Sequence, residues 1–390
     1  MTEDSPGEKE PNGNGYCLGD PENNDNNHKA FILAIGGGKG GVGKTVIAAS
    51  LGVGLAMLKK RTVIVDADFG GADLHTVMGF EKPKKTYFNF YSQEYKNLSD
   101  ILLEHPNLGH LKIMSGAIGT LGMANLPHSH KLRFIRHLRK IDADFIILDL
   151  GAGSSYNVLD FFLAADQGIV VVNPDPMSIL EGYNFVKQVL FRQIAQTIRN
   201  YNHDTTELIR RISQTETHRN KSTVEDLIKQ ITDIDSGLSE KITTFLSQFH
   251  PLLLTNMLVQ SHDENNVLAI KSAAQELLST EIEYIGAIHN DETIRASVQK
   301  MIPFISYDSK CQASKDLIHI ITTKLLHIGK LRSISAKRTI HKEGKTRLEL
   351  QKTDHICSVN CLYWEDCEFK KGGFPCEIRH YIGISGFQKE

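Results

Sequence analysis

Residues 38–45 read Gly38-Lys39-Gly40-Gly41-Val42-Gly43-Lys44-Thr45. The G-x-x-x-x-G-K-[ST] spacing is that of a loop whose backbone N–H groups surround a polyphosphate, a path that side chains at the glycine positions would obstruct. In such a loop Lys44 reaches the β- and γ-phosphates, and the Thr45 hydroxyl binds Mg²⁺. The apolar run Phe31–Ile35 before it reads as a strand, and the Ala/Leu-rich segment from Thr45 to Leu58 reads as a helix. Strand, glycine-rich loop and helix in that order predict a nucleotide site. Gly38, Gly40, Gly41, Val42, Gly43, Lys44, Thr45 and Val46 are its expected contacts.

Working outward, short β-branched runs alternate with helical patterns from about residue 30 to 328. That alternation predicts an α/β fold with a doubly wound, mostly parallel sheet. The expected strands are Phe31–Ile35, Thr62–Val65, Leu111–Met114, Phe145–Leu148, Gly168–Asn173, Pro251–Asn256 and Tyr284–Ile288. Residues 1–28, rich in Asn, Gly, Pro, Glu and Asp, read as a disordered arm. The nucleotide domain then spans 29–330, with a polar helical insertion at about 192–250, where Val224-Glu-Asp-Leu-Ile-Lys-Gln-Ile231 has helical spacing. Leu317, Ile318, Ile320, Ile321, Leu325 and Leu326 fit a last core helix.

Two further apolar strands close on acids at the end where ligands bind on such sheets. Thr62-Val-Ile-Val-Asp-Ala-Asp68 ends in Asp66 and Asp68, and Phe145-Ile-Ile-Leu-Asp149 leads into a Gly151-Ala-Gly153 turn. Carboxylates beside phosphates are unfavourable unless metal or water intervenes, so Asp149 is a candidate Mg²⁺ support alongside Thr45, while Asp66 either serves the site or caps its turn. The glycines let the segment after Asp149 change conformation. Leu252-Leu-Leu-Thr-Asn256 ends in an amide able to donate to and accept from an adenine edge, or to serve only as a turn residue.

The second lysine narrows the reading. Lys39-Gly-Gly-Val-Gly-Lys-Thr45 resembles the deviant phosphate loop of the MinD/ParA family of ATPases, and Asp149-Leu-Gly-Ala-Gly153 looks like the second switch of its MinD and FlhG/FleN-like branch. The resemblance spans roughly residues 30–328. It implies ATP and Mg²⁺ as cofactors and a homodimer closed about two nucleotides, with slow, partner-stimulated hydrolysis to ADP and phosphate. By the same resemblance Lys39 reaches across to the partner's phosphates, Asp68 orients the attacking water, Asp66 supports Mg²⁺ or the loop, and Asn256 reads the base. Lys39, Lys44 and Asp68 are thus the expected catalytic residues, and a spatial or regulatory switch, for flagellar number, polar placement or cell-division-like positioning, is the implied role. A DNA-partitioning ATPase and an iron–sulfur carrier or redox-linked ATPase are the alternatives.

Composition limits the partners. The 390 residues are 41% hydrophobic with a net charge of −2, so attraction to nucleic acid or anionic lipid requires a local patch. The basic linker 331–353 reads either as a solvated tether or as a weak contact with membrane lipid or DNA, and a protein partner is expected as well. No run of about twenty apolar residues and no export-signal layout are present, which predicts a cytoplasmic protein, peripheral at the membrane if the linker engages lipid. Cys357, Cys361, Cys367 and Cys376 crowd into the small tail 354–390. In a reducing compartment four such thiolates point to Zn²⁺ or an iron–sulfur cluster rather than disulfides. About one Zn²⁺ or one cluster per chain is expected in anaerobically purified protein, measured as total Zn and Fe; a metal-free chain rejects the assignment.

Overall fold

The computed structural model describes residues 30–116, 126–199, 223–260 and 263–328. Eight strands form one sheet: β1 (Phe31–Gly36), β2 (Thr62–Asp66), β3 (Leu103–Glu104), β4 (Leu111–Met114), β5 (Phe145–Asp149), β6 (Gln167–Val172), β7 (Leu252–Leu258) and β8 (Glu283–His289). Their order is β3-β4-β2-β5-β1-β6-β7-β8, parallel throughout except for β3 on β4. All seven expected strands are present. β3 is the addition, a two-residue edge strand too short to carry a periodic signal.

The helices are α1 (Lys44–Met57), α2 (Leu74–Val77), α3 (Tyr87–Tyr91), α4 (His128–Leu138), α5 (Tyr156–Ala164), α6 (Pro176–Arg199), α7 (Val224–Ile234), α8 (Ser236–Leu246), α9 (Asp263–Leu278), α10 (Glu292–Gln299), α11 (Phe304–Tyr307) and α12 (Gln312–Ile320). A strand sends successive side chains to opposite faces, and the sheet is covered on both. Ile32, Ala34, Val63, Val65, Ile146 and Leu148 join one core with Phe134, Phe161 and Phe185 of α4, α5 and α6. Leu33, Ile35, Ile64 and Ile147 join the other with α1 and α12, including Leu317, Ile318 and Ile320. Both faces being apolar explains why these strands read as unbroken hydrophobic runs.

The expected insertion begins inside α6, which runs on to Arg199. Within the rest of it, α7 and α8 follow one another through Asp235, whose carboxylate caps α8 by accepting from Leu238 N at 2.9 Å. Val224, Leu227, Ile231, Leu238, Ile242 and Leu246 are buried in the same core as the sheet, so this pair belongs to the helical layer. No helix among the described residues is long and apolar enough to cross a membrane. The linker 331–353 and the cysteines of the tail, with the arm 1–28, lie outside the described residues.

α4 carries a second basic segment. Basic character is not confined to the linker, because residues 128–140 contain Lys131, Arg133, Arg136, Arg139 and Lys140 with no acid among them. Two of these cations are neutralised. Arg139 pairs with Asp166 at 2.7 Å. Lys131 is buried against Asp160 of α5, which also accepts from Arg192 Nε at 2.8 Å and from Gln196 Nε2 at 2.9 Å on α6. Removing one member of a buried ionic cluster strands the others. Asp160→Ala is therefore expected to cost about 3–5 kcal/mol, against about 1 kcal/mol for breaking the half-exposed Arg61–Asp142 contact with Asp142→Ala. Urea midpoints at pH 7 measure both.

Candidate functional site

β1 ends at Gly36, and residues 37–43 turn back over the strand ends into α1. Gly41 (φ +77°) and Gly43 (φ +90°) occupy left-handed backbone, which a Cβ would strain. Gly43 is the N-cap of α1, so the loop presents the free N–H groups and the positive end of a 14-residue helix. Lys44 is buried, its ammonium donating to the Lys39 carbonyl at 3.2 Å. Burial pulls the Lys44 pKa down, and Asp149, Asp68 and Asp73, in that order, push it back.

The carboxylates converge on this lysine from neighbouring strands. Asp66 and Asp149 are paired in register at the ends of β2 and β5, both buried. Asp66 Oδ2 accepts from Leu74 N and its Oδ1 from Asp68 N, each at 3.2 Å. Burial, then repulsion from Asp149, pushes the Asp66 carboxyl well above the carboxylate range. Burial raises Asp149 to about 7, against a hydrogen bond from Thr45, with Asp73 adding to the rise. Asp149 Oδ1 is buried with no hydrogen-bond partner. An orphaned carboxylate oxygen beside the hydroxyl of Thr45, in the first turn of α1, is an oxygen donor set that fits a small hard cation.

Asp73 carried no assignment from sequence. It occupies the N-cap position of α2 without a side-chain capping bond, and its carboxyl instead hydrogen-bonds with Thr45. Partial burial raises it, the Thr45 contact opposes the rise, and Asp68 adds to it. The signal was available: an Asp just before an apolar helical stretch, after Gly70-Gly71, reads as an N-cap. Asp68 lies between the two glycine-rich turns. Its Oδ1 accepts from Gly71 N at 3.1 Å, and a Cβ on Gly151 would stand 2.9 Å from its Cγ. Leu150 N and Gly153 N in turn donate to the Ile35 and Gly37 carbonyls. The loop after β2, the loop after β5 and the phosphate loop thus touch one another.

Lys39 and Asn256 are held differently. Lys39 Nζ pairs with Asp175 Oδ1 at 3.1 Å in the Pro174-Asp175-Pro176 turn, both side chains half-exposed. Asp175 also accepts from Ser178 N at 2.9 Å. Slight burial raises the Asp175 carboxyl, and Ser178 and Lys39 together bring it below its ordinary value. Asn256 is buried under the loop, Nδ2 donating to the Val42 carbonyl at 2.8 Å, and its Oδ1 has no partner.

A strand–loop–helix with a buried lysine, a helix-start threonine and strand-end aspartates defines a P-loop nucleotide-binding protein. The chain belongs to the family of CobQ/CobB/MinD/ParA nucleotide-binding domains, whose model matches residues 33–304. It is 26% identical over 276 residues to the antiactivator FleN of Pseudomonas aeruginosa, covering 70% of this chain and 78% of that one. It is 31% identical over 150 residues to the septum site-determining protein MinD of Escherichia coli K12, a match spanning 38% of this chain and only 55% of MinD. In fold it resembles MinD of Pyrococcus horikoshii, solved with Mg-ADP, at a TM-score of 0.53 and 18% identity over 77% of this chain and 98% of that one. It also resembles a chain of the MinC:MinD complex of Aquifex aeolicus, at a TM-score of 0.50 and 17% identity over 82% and 99%.

The raised carboxyls set a pH dependence. Folded Asp149 keeps its proton to about pH 7, whereas the unfolded chain loses it near pH 4. Stability of the nucleotide-free protein therefore falls as pH rises from about 4 to 7, by on the order of 4 kcal/mol from this group. Asp149→Asn is expected to flatten that slope and to leave the protein more stable at pH 8 than the parent, with Asp66 sustaining the remainder. Urea titrations without Mg²⁺ at pH 5, 6.5 and 8 measure it.

Proposed function

We propose that the chain is a Mg²⁺- and ATP-dependent switch ATPase that dimerises with ATP and separates on hydrolysis. The observation that carries this reading is the set of aspartates around Lys44 and Thr45, with one buried Asp149 oxygen left unpaired. Such a set is electrostatically incomplete without a cation, and the adjoining loop is built for phosphates.

Thr45 and Asp149 would hold Mg²⁺, with Asp66 and Asp73 behind them. Bound there, Mg²⁺ would offset charge on the phosphate oxygens. The loop N–H groups and Lys44 bind and orient the phosphates, and Lys44 stabilises charge as the γ-phosphoryl group transfers. Asp68 orients the water that attacks it, giving ADP and phosphate. Its contact with Gly151 makes loss of the γ-phosphate felt by both switch loops. Asn256 Oδ1 is the acceptor assigned to the adenine amino group.

Lys39 is assigned to the partner's phosphates, a role that exchanges Asp175 for a more strongly charged anion. Exposed apolar side chains beside the loop support a closed pair: Tyr156 at the start of α5, and Met177 and Leu180 in the first turns of α6, are 67%, 58% and 51% exposed. A second chain laid over the nucleotide would cover them. The FleN match favours a regulatory or positioning role over partitioning and over iron–sulfur transfer, since it spans most of the chain.

Lys44→Ala is expected to weaken ATP binding roughly 100-fold or more, read by titration calorimetry. Asp68→Ala is expected to bind ATP and remain a dimer in it, but not in ADP, by light scattering at equal Mg²⁺. A monomeric Asp68→Ala protein in saturating ATP would reject the closed-dimer reading.

A further inference from the structure

Among the described residues, three cations of α4 and its following turn have no carboxylate partner. Arg136 and Lys140 are exposed, Arg133 lies over the Phe90 ring with 4.2 Å from guanidinium carbon to centroid, and none of the three has an ion-pair partner among the described residues. They stand close enough to act on one imidazole: His137, packed 5.0 Å from Phe90, has its pKa lowered by burial and then by Lys140, Arg133 and Arg136, with no acid in opposition. The result is an unbalanced positive stripe on a helix about 16 Å long.

The described chain starts beside the end of that stripe. Ile32 N donates to Asp166 Oδ2 at 2.8 Å, and Arg139, one residue before Lys140, donates to both oxygens of the same carboxylate. The other acids at this corner are taken as well, Asp142 and Asp144 both pairing with Arg61. Residues 1–28, which feed into β1 at this point, contain seven carboxylates against the single Lys9. Twenty-eight residues can extend roughly 90 Å, several times the length of α4. Tethering places this polyanion at an effective concentration in the millimolar range next to the stripe.

We propose that the acidic segment 1–28 docks on the basic face of α4, through Arg133, Arg136 and Lys140, and screens that face from other polyanions. The stripe faces away from the phosphate site in function: none of its three cations belongs to the nucleotide machinery, so the proposal is independent of the ATPase reading. Charge complementarity selects the occupant. A tethered segment needs no second molecule, and the net charge of −2 conceals the pairing because the two charge blocks cancel.

Zero-length carbodiimide coupling of the full chain, followed by peptide mass spectrometry, tests this. The Glu104–Lys112 pair, 3.3 Å apart, is the internal positive control. At about 50 mM salt, links are expected from carboxylates of residues 1–28 to the Lys140 amine in material of monomer mass. They should fall about fivefold or more at 0.5 M salt, where screening is strong, and likewise in Arg136→Glu, an exposed position that leaves the fold intact. Absence of those links while Glu104 couples to Lys112 overturns the proposal. So does protection of Lys140 by random duplex DNA with the segment left uncoupled, which would assign the stripe to nucleic acid.

Discussion

Two buried carboxylates in register, Asp66 and Asp149, are the constraint around which the rest of the site is arranged. Parallel strands bring them side by side, and burial makes their charges costly. Backbone donors answer Asp66, from Asp68 N and Leu74 N. Asp149 has the Thr45 hydroxyl and the Lys44 ammonium nearby, and one oxygen still unanswered. The sheet therefore supplies an acidic floor whose carboxyls hold their protons well above the ordinary carboxylate range. Family membership and the resemblance to MinD in fold accord with that chemistry.

The same convergence ties the loops to one another. Asp68 is locked into its own turn by Gly71 N and rests against Gly151, whose neighbours hold the phosphate loop through Ile35 and Gly37. The helix after the second glycine turn, α5, is anchored in its middle by Asp160 to Lys131 of α4 and Arg192 of α6. Motion in the glycine turn is thereby confined to a few residues between two fixed points, Asp149 and Asp160.

Much of this was legible in the sequence. Strands buried on both faces appear as continuous apolar runs, which is why β1, β2, β4, β5, β6, β7 and β8 could be read directly, whereas two-residue β3 could not. The phosphate loop was legible because glycine spacing encodes backbone geometry locally. Asp73 was a capping signal left unread. The Lys131–Asp160–Arg192 cluster and the Lys39–Asp175 pair join residues from 29 to 136 positions apart, separations at which no local pattern exists. The basic stripe of α4 was hidden by an overall charge near neutrality. The metal assigned to the tail cysteines and the contacts assigned to the linker rest on sequence alone.

The Lys39–Asp175 contact has a statistical consequence. Both side chains are 42% exposed, a setting in which an ion pair is worth about 1 kcal/mol at most. At that strength roughly one chain in six has the lysine detached at any moment. Detachment leaves the first turn of α6 intact, because Asp175 keeps its bond from Ser178 N. The second lysine of the loop is thus never far from being available to an anion other than Asp175.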